Sequence, residues 1–211
     1  MNIYSWQDIT ACNFDFAKVF ARASASALTV GNFDGPHLGH CAIFDKVMAQ
    51  KKAGLVAGIV TFTTSTSAVR KKDAFLGAIS GTRERLDFYA SYGFDFAVVI
   101  DFTPEFSATS GEKFLQILCD NLAMRFLAEG ENFKCGQGGK MTTEKIAERA
   151  ACCGFEFCIV PSVFYDGEKI SSSRIRHALK NGRFDEASAM LAANVRQQFQ
   201  IQPQTSRTTR T

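Results

Sequence analysis

Two histidines at the start of a predicted helix are the first residues in this sequence whose spacing could do chemistry. Residues 31–40 read GNFDGPHLGH, and His37 and His40 are three apart, so both project from one side of a first helical turn. Gly31 and Gly35 permit a tight turn and a close approach of the backbone to a ligand. The N-terminus of a helix attracts anions, and imidazoles there add hydrogen-bond donors. The segment therefore predicts a site that stabilises a triphosphate during a displacement reaction.

Other residues of this segment fit the same interpretation. Pro36 suits the first position of the helix, where its missing N–H costs nothing. Gly39 leaves room for a bulky ligand. Asn32 and Asp34 are turn formers whose side chains can bond the local backbone. Together these residues predict a phosphate-binding turn that leads directly into a helix over 37–52.

Two alternative interpretations of the histidine pair are open at this point. Cys41 lies beside His40 and makes zinc worth considering, but a zinc site needs three or four ligands, and no second Cys/His pair has suitable spacing. The other alternative is a histidine pair on a helix surface without function. The position directly after the first predicted strand favours phosphate chemistry over both.

A run of serines followed by two arginines predicts a second anion site. Residues 170–176 read ISSSRIR, and the serines at 171–173 are natural N-caps for the helix that follows. Arg174 and Arg176 are two apart and cannot face the same way. One of them is expected to be functional, and the other is expected to be a solvated surface charge.

Alternating strands and helices must position these residues. Apolar, β-rich runs predict strands, and amphipathic stretches predict helices. The alternation predicts an α/β fold with a mostly parallel sheet covered by helices on both faces. Such sheets bind ligands beyond the carboxyl ends of their strands. The predicted strands cover 27–31, 55–62, 94–100, 123–128 and 155–161, and the predicted helices cover 37–52, 81–91, 110–121, 142–153, 172–181 and 184–192.

The composition argues against several classes of protein. The 211 residues are 46% hydrophobic and 21% charged, as in ordinary globular proteins. The net charge is +3, and two of the positive charges, Arg207 and Arg210, lie in the last ten residues, so the rest of the chain carries 22 − 21 = +1. This near-neutral balance argues against a nucleic-acid-binding protein. No apolar stretch is long enough for a membrane helix, and the N-terminal residues lack the pattern of a signal peptide, so no membrane association is expected. Seven cysteines without disulfide-like spacing favour reduced thiols and a cytoplasmic location.

The motifs also carry a resemblance to a known family. GNFDGPHLGH resembles the signature of the nucleotidyltransferase superfamily with an H-x-G-H motif, and its Gly-Asn-Phe-Asp-Gly opening is most similar to bacterial FAD synthetases. ISSSRIR resembles the family's Ile-Ser-Ser-Thr-x-Ile-Arg, and GENFKCG at 130–136 resembles its Gly-Glu-Asn/Asp-Phe-x-Phe-Gly loop. The resemblance implies a Rossmann-like FMN adenylyltransferase that transfers AMP from ATP to FMN, giving FAD and pyrophosphate. It also implies Mg²⁺ bound mainly through the ATP phosphates.

The resemblance implies roles for individual residues. His37 and His40 would donate to the reacting phosphates, and Arg176 would clamp the β- and γ-phosphates. No protein ligand for a metal is implied. The residues implied to bind ATP are Gly31, Asn32, Phe33, Asp34, Gly39, Ser171, Ser172 and Ser173, and those implied to bind the flavin are Phe62, Thr63 and Asn132. Phe102 and Phe106 follow a strand and could line a flavin slot, although such residues more often belong to the core.

The sequence departs from the family pattern in several places. After Phe62 it reads TTST at 63–66, without the prolines of the family's Phe-x-Pro-x-Pro, which predicts a more mobile loop. Cys135 replaces the second Phe of the loop at 130–136. The bifunctional family continues after Leu191 into a riboflavin kinase domain, whereas this sequence becomes polar, so we expect no riboflavin kinase activity. We predict one nucleotidyltransferase domain over 1–195 and a disordered polar tail over 196–211.

Three other functions compete with FMN adenylylation at this stage. One is a related nucleotidyltransferase with another phosphate acceptor. Another is a non-catalytic module that binds a flavin or a nucleotide. A redox or zinc protein built on Cys152, Cys153 and Cys158 fits least well, because buried cysteines usually behave as small hydrophobes.

Overall fold

A parallel sheet forms the centre of the protein. The computed structural model describes residues 1–11, 14–20, 23–64 and 77–193. Its strands are β1 (Asn2–Ser5), β2 (Ser26–Val30), β3 (Val56–Phe62), β4 (Phe96–Ile100), β5 (Met124–Gly130), β6 (Lys134–Cys135), β7 (Met141–Thr142), β8 (Glu156–Val160), β9 (Phe164–Tyr165) and β10 (Glu168–Lys169). Six of them form the main sheet in the order β1-β4-β3-β2-β5-β8, with every pairing parallel. The strands β6 and β7, and likewise β9 and β10, form two small antiparallel hairpins.

Helices cover both faces of the sheet. They are α1 (Trp6–Thr10), α2 (Phe16–Val19), α3 (Leu38–Gln50), α4 (Thr82–Tyr92), α5 (Pro104–Ser107), α6 (Gly111–Asn121), α7 (Thr143–Cys153), α8 (Ser172–Lys180) and α9 (Phe184–Met190). One apolar core holds buried residues of α3, α4, α8 and α9, and a second holds buried residues of α1, α2, α6 and α7. A sheet buried on both faces requires near-continuous apolar strands, and all five residues of β2 are buried.

The strand order places a crevice beside β2. The register pairs Val30 with Val60 of β3 and Leu28 with Leu127 of β5, so the carboxyl ends of these three strands lie side by side. The chain runs from β2 to β3 and β4 on one side, whereas β5 and β8 lie on the other side. The strand order therefore reverses between β2 and β5, and open α/β sheets bind ligands at such a point.

The predicted fold class is confirmed, with corrections at the N-terminal end. The segment predicted as the first strand is β2, because β1 precedes it and pairs with β4 at the edge of the sheet. The residues of β1 are exposed or half-buried, so they lack the apolar run that predicts a strand. The helix predicted over 37–52 begins at Leu38, because His37 is its N-cap, and it ends at Gln50 in a 3₁₀ turn.

Some sequence-based predictions concern residues that the structure does not describe. The predicted domain boundary at 195, the polar segment 196–211, and residues 65 and 66 of the loop predicted to be mobile lie outside the described residues. Among the helices of the described residues, none combines the length and the apolar character that crossing a bilayer requires.

Candidate active site

A cavity of about 400 Å³ lies over the carboxyl ends of β2, β5 and β8. We call it the phosphate cavity. The loop after β2, the first turn of α3 and the start of α8 close it. It brings together the two motifs that the sequence analysis singled out, although they are more than 130 residues apart. The predicted residues that line it are Gly31, Asn32, Phe33, Asp34, His37, Gly39, His40, Asn132, Ser171, Ser172, Ser173 and Arg176.

His37 and His40 form one stacked unit at the start of α3. Their ring centroids lie 3.5 Å apart with an interplanar angle of 19°. His37 caps the helix, because its Nδ1 accepts a hydrogen bond from the backbone N–H of His40 at 3.3 Å. An Nδ1 that accepts carries no proton, so the proton of the neutral ring is on Nε2. The cap also corrects the prediction for Pro36, which precedes the cap and does not occupy the first helical position.

Both imidazoles are neutral at neutral pH. Burial and, to a smaller extent, the nearby Arg176 guanidinium lower the pKa of His37 to about 4. Burial lowers the pKa of His40 well below its usual value, and His37 acts in the same direction. The pair therefore offers neutral hydrogen-bond donors to an anion without carrying positive charge.

Phe33 and two glycines fix the position of this pair. Phe33 has a φ of 45° and is buried, and its ring lies edge-on to His40 with centroids 5.1 Å apart. A Cβ at Gly31 would lie 2.6 Å from Phe33 Cζ, so only glycine permits this packing. A Cβ at Gly39 would lie 3.1 Å from His37 Cε1. The structure thus places Phe33 beneath the histidines as a support.

Asp34 joins the two motifs. Its backbone carbonyl accepts a hydrogen bond from Ser172 Oγ at 2.9 Å, and its carboxylate forms an ion pair with Arg176 Nη2. The same carboxylate accepts hydrogen bonds from the backbone N–H groups of Ile79 and Ser80, each at 2.9 Å. Because these contacts occupy the carboxylate, Asp34 positions the arginine and its surrounding loops. It is thereby less suited to direct contact with a phosphate.

Arg174 and Arg176 diverge as expected, but one expectation about them is wrong. Arg176 faces the phosphate cavity, and its Nε donates to the Gly77 carbonyl at 2.8 Å. Arg174 is not a solvated surface charge, because its side chain is only 15% exposed and pairs with Glu186. It also donates to the carbonyls of Tyr165 at 2.8 Å and Glu168 at 2.9 Å. Arg174 therefore fastens the β9–β10 hairpin and α9 to α8.

A second cavity of about 270 Å³ adjoins the first and is rich in aromatic side chains. We call it the aromatic cavity. Phe62, Phe102 and Phe106 form one wall, with edge-to-face contacts at centroid distances of 5.9–6.1 Å. The two cavities share five lining residues, Val30, Gly31, Asn32, Asn132 and Phe133. An anion site thus adjoins a slot that suits a flat aromatic ring system.

The structure separates the three residues predicted to bind a flavin. Phe62 and Asn132 line the aromatic cavity, and so do Phe102 and Phe106. Thr63 is not among its lining residues, and its hydroxyl donates to Asp101 Oδ1 at 2.8 Å. The position of Thr63 is therefore a correction to the predicted site.

Comparisons with known proteins agree with this geometry. The sequence model of one protein family, described as FAD synthetase, matches residues 20–174. The chain belongs to the FAD synthetase family. It is 26% identical over 168 residues to the FAD synthetase of Listeria monocytogenes, covering 79% of this chain and 68% of the relative. It is 27% identical over 166 residues to the bifunctional riboflavin kinase/FMN adenylyltransferase of Escherichia coli, covering 78% of this chain and 53% of the relative.

One further relative and one solved structure are also similar to this chain. The bifunctional riboflavin kinase/FMN adenylyltransferase of L. monocytogenes is 31% identical over 170 residues, covering 78% of this chain and 52% of the relative. The chain thus spans about half the length of its bifunctional relatives. A crystal structure described as a macrolide-efflux protein from Streptococcus pneumoniae superposes with a TM-score of 0.75. At 24% identity over 90% of this chain and 61% of the other, this likeness shows the fold alone.

The family assignment confirms the resemblance found in the motifs. It also confirms the predicted enzyme class, a nucleotidyltransferase of the FAD synthetase type, and the fold that goes with it. The ligands of the family, ATP and FMN, are small molecules of the kinds that the two cavities suit.

Two buried ionisable residues beside the site are missing from the sequence-based predictions. Glu129, at the end of β5, accepts a hydrogen bond from the Val30 N–H at 2.5 Å, and burial raises its pKa well above the usual value. Burial thus disfavours a negative charge on Glu129 beside the phosphate cavity that it lines. Arg85 lies on the buried face of α4. Its spacing to Phe88 and Tyr89, i+3 and i+4, is the signal that could have revealed it.

Proposed function

We propose that this chain transfers AMP from ATP to FMN, producing FAD and pyrophosphate. The observation that carries this proposal is the junction of the two cavities at Gly31, Asn32 and Asn132. The aromatic cavity suits the flat isoalloxazine ring, and the phosphate cavity suits a triphosphate. At their junction the phosphate of FMN would meet the α-phosphorus of ATP.

The chemical step needs positioning and charge stabilisation more than covalent participation by the protein. A phosphate oxygen of FMN attacks the α-phosphorus of ATP and forms the new P–O bond of FAD. The bond from the α-phosphorus to the bridging oxygen breaks, and pyrophosphate leaves with that electron pair. His37 donates from Nε2–H to the reacting phosphates, since its Nδ1 is held by the cap of α3. His40 stacks on this ring and so supports it. Its imidazole would donate to the same reacting phosphates.

The N-terminus of α8 receives the pyrophosphate end of ATP in this proposal. Ser171 caps the helix, and Ser172 and Ser173 lie in its first turn facing the phosphate cavity. The free N–H groups and the dipole of a nine-residue helix attract an anion there. Arg176 adds a guanidinium fork one turn later, held in place by Asp34 and the Gly77 carbonyl.

The donor set near the phosphates suits a Mg²⁺ ion carried by ATP. Asp34 is engaged by Arg176 and two backbone N–H groups, and burial raises the pKa of Glu129 and so disfavours its charged form. In the described part of the chain no group of three or more His, Cys, Asp or Glu side chains could hold a metal ion. Mg²⁺ would therefore bind mainly through the phosphate oxygens, where it neutralises their charge.

The cysteines support a cytoplasmic setting for this reaction. Six of them are free in the described residues, including the exposed Cys152. Free thiols are typical of a reducing compartment. ATP and FMN are the proposed partners, and neither a nucleic acid nor a membrane is needed.

An endpoint assay tests the proposal directly. The purified chain is incubated with ATP, Mg²⁺ and FMN, and the flavins are separated by chromatography. FAD and pyrophosphate are expected in equal amounts. Riboflavin is the matched control substrate, because it has the same ring system but lacks the phosphate nucleophile, so it should yield no FAD. Absence of FAD from FMN, with ATP binding retained, would contradict the proposal and favour another phosphate acceptor or a binding role.

A further inference from the structure

A buried arginine joins the loop after β2 to the end of β3. Arg85 lies on α4 and is only 3% exposed. It faces the sheet together with Phe88 and Tyr89, which are also buried. Burying a guanidinium costs free energy unless its donors find partners. The contacts of Arg85 therefore indicate what it does in the fold.

The two Nη groups of Arg85 divide their hydrogen bonds between two strand ends. Nη1 donates to the Asn32 carbonyl at 2.5 Å, to Asn32 Oδ1 at 3.3 Å and to Thr61 Oγ1 at 3.1 Å. Nη2 donates to the Phe62 carbonyl at 2.9 Å and to Thr82 Oγ1 at 3.1 Å. The guanidinium thus fixes the separation between Asn32, after β2, and Phe62, at the end of β3.

Both of these residues line the aromatic cavity. Asn32 lies at its junction with the phosphate cavity, and Phe62 belongs to its aromatic wall alone. A change in their separation would alter the width of the aromatic cavity at this end. The phosphate cavity shares Asn32, but its two histidines, its serines and Arg176 belong to the starts of α3 and α8, which Arg85 does not contact through these bonds.

The acceptors of Arg85 do not neutralise its positive charge. Every acceptor that the described residues provide to it is a carbonyl, an amide oxygen or a hydroxyl, all uncharged. The positive charge is therefore balanced by no carboxylate through these bonds. It contributes a favourable potential beside Asn32, where two anionic phosphates must approach each other.

We propose that Arg85 is a positioning residue for FMN, acting through Asn32 and Phe62 to set the geometry of the aromatic cavity. This inference rests on the proposed function. A planar guanidinium is needed, because its two Nη groups reach two separate strand ends at once. A lysine ammonium would keep the charge but is a single point that cannot bridge both.

The test compares Arg85→Lys with the matched control Arg83→Lys on the same helix, where Arg83 is exposed. KM and kcat are measured with FMN varied at saturating ATP, and again with ATP varied at saturating FMN. We expect Arg85→Lys to raise KM for FMN by roughly tenfold, the equivalent of one or two lost hydrogen bonds. KM for ATP should change less than about twofold, which is smaller than the effect of one lost hydrogen bond. Arg83→Lys should match the wild type.

A milder pair of variants covers the case in which Arg85→Lys folds poorly. Thr61→Val removes one acceptor of Arg85 and keeps the shape of the side chain. Thr61→Ser is the control, because it keeps the hydroxyl and should have the wild-type KM for FMN. We expect Thr61→Val to raise KM for FMN by roughly three- to fivefold, as for the loss of one hydrogen bond.

The outcomes separate this inference from the proposed function. FAD formation by the wild type, with KM for FMN raised selectively in the variants, supports both. If the wild type forms FAD but the variants have wild-type KM values, or lose kcat with both KM values unchanged, Arg85 is merely structural and the inference is wrong. An equal rise in both KM values contradicts it as well. A wild type that forms no FAD overturns the proposed function and this inference with it.

Discussion

The rings of His37 and His40 stack 3.5 Å apart, and the Nδ1 of His37 accepts the backbone N–H of His40. This contact makes one histidine both the cap of a helix and a wall of the phosphate cavity. It fixes the tautomer of His37, with its proton on Nε2. It also opposes protonation of both rings at once, because a cation on one would repel a cation on the other.

Protonation of His37 should destabilise the fold in mild acid. Its folded pKa of about 4 lies below the ordinary value of 6.5, so the unfolded chain binds this proton more readily. The free energy of unfolding therefore falls as the pH is lowered from 6.5 to 4, by roughly 2–3 kcal/mol from this group. His37→Asn keeps a capping side chain and removes the titration.

Chemical denaturation at pH 7.5 and at pH 4.5 measures this effect. The wild type should lose more stability between the two values than His37→Asn does. Equal losses in the two proteins would show that His37 is not held neutral by the fold.

Substitution of His40 should slow the chemical step. If its imidazole stabilises charge on the reacting phosphates, His40→Ala should lower kcat by about 10²–10³-fold. The third histidine, His177, is exposed on α8, and His177→Ala is the matched control. Thermal unfolding is followed in parallel, since Phe33 packs against His40. An effect on kcat below fivefold would remove His40 from the mechanism.

The two arginines of α8 should separate binding from stability. Arg176→Ala should lower kcat/KM for ATP by about 10²-fold, because it removes a charge-assisted contact to the phosphates. Arg174→Ala should instead lower the free energy of unfolding by about 1–3 kcal/mol, since it removes one of the two arginines that pair with Glu186 and the donor to two carbonyls. Steady-state kinetics of both variants measure kcat/KM for ATP, and urea denaturation measures their free energies of unfolding. If Arg174→Ala lowered kcat/KM for ATP and Arg176→Ala lowered only the stability, the roles proposed for the two arginines would be wrong.

The aromatic wall should determine affinity for the flavin. Phe106→Ala removes an edge-to-face partner of both Phe62 and Phe102. We expect KM for FMN to rise about tenfold, with KM for ATP little changed. Phe184→Ala, at an exposed phenylalanine of α9, is the control. Unchanged KM for FMN in Phe106→Ala would place the flavin elsewhere.

The sequence predicts the sheet where strands are buried and fails where one is not. The strands β2 and β3 are almost wholly buried, and their apolar runs reveal them. By contrast, β1 is an edge strand with exposed and half-buried residues, so its pairing with β4 has no local signal.

The residues of the candidate site likewise differ in whether the local sequence reveals their roles. His37, His40 and the serines at 171–173 belong to helix starts, whose chemistry is local and visible in the sequence. The roles of Arg174 and Arg85 depend on acceptors far along the chain, such as Glu186 for the first and Phe62 for the second. Spacing alone could show that Arg174 and Arg176 diverge, but not that Arg174 is enclosed by a hairpin.

One carboxylate links three segments that lie far apart in the sequence. Asp34 joins the loop after β2 to the backbone at Ile79 and Ser80, 45 and 46 residues later, and to Arg176, 142 residues later. Loosening any one of these links changes the geometry of the others, because they share the same two oxygens. Ser80 also donates to this carboxylate from its Oγ at 3.3 Å, so the effects of substitutions at Asp34, Ser80 and Arg176 should be non-additive. A replacement at one of these three positions should therefore be tolerated or not according to which residues occupy the other two.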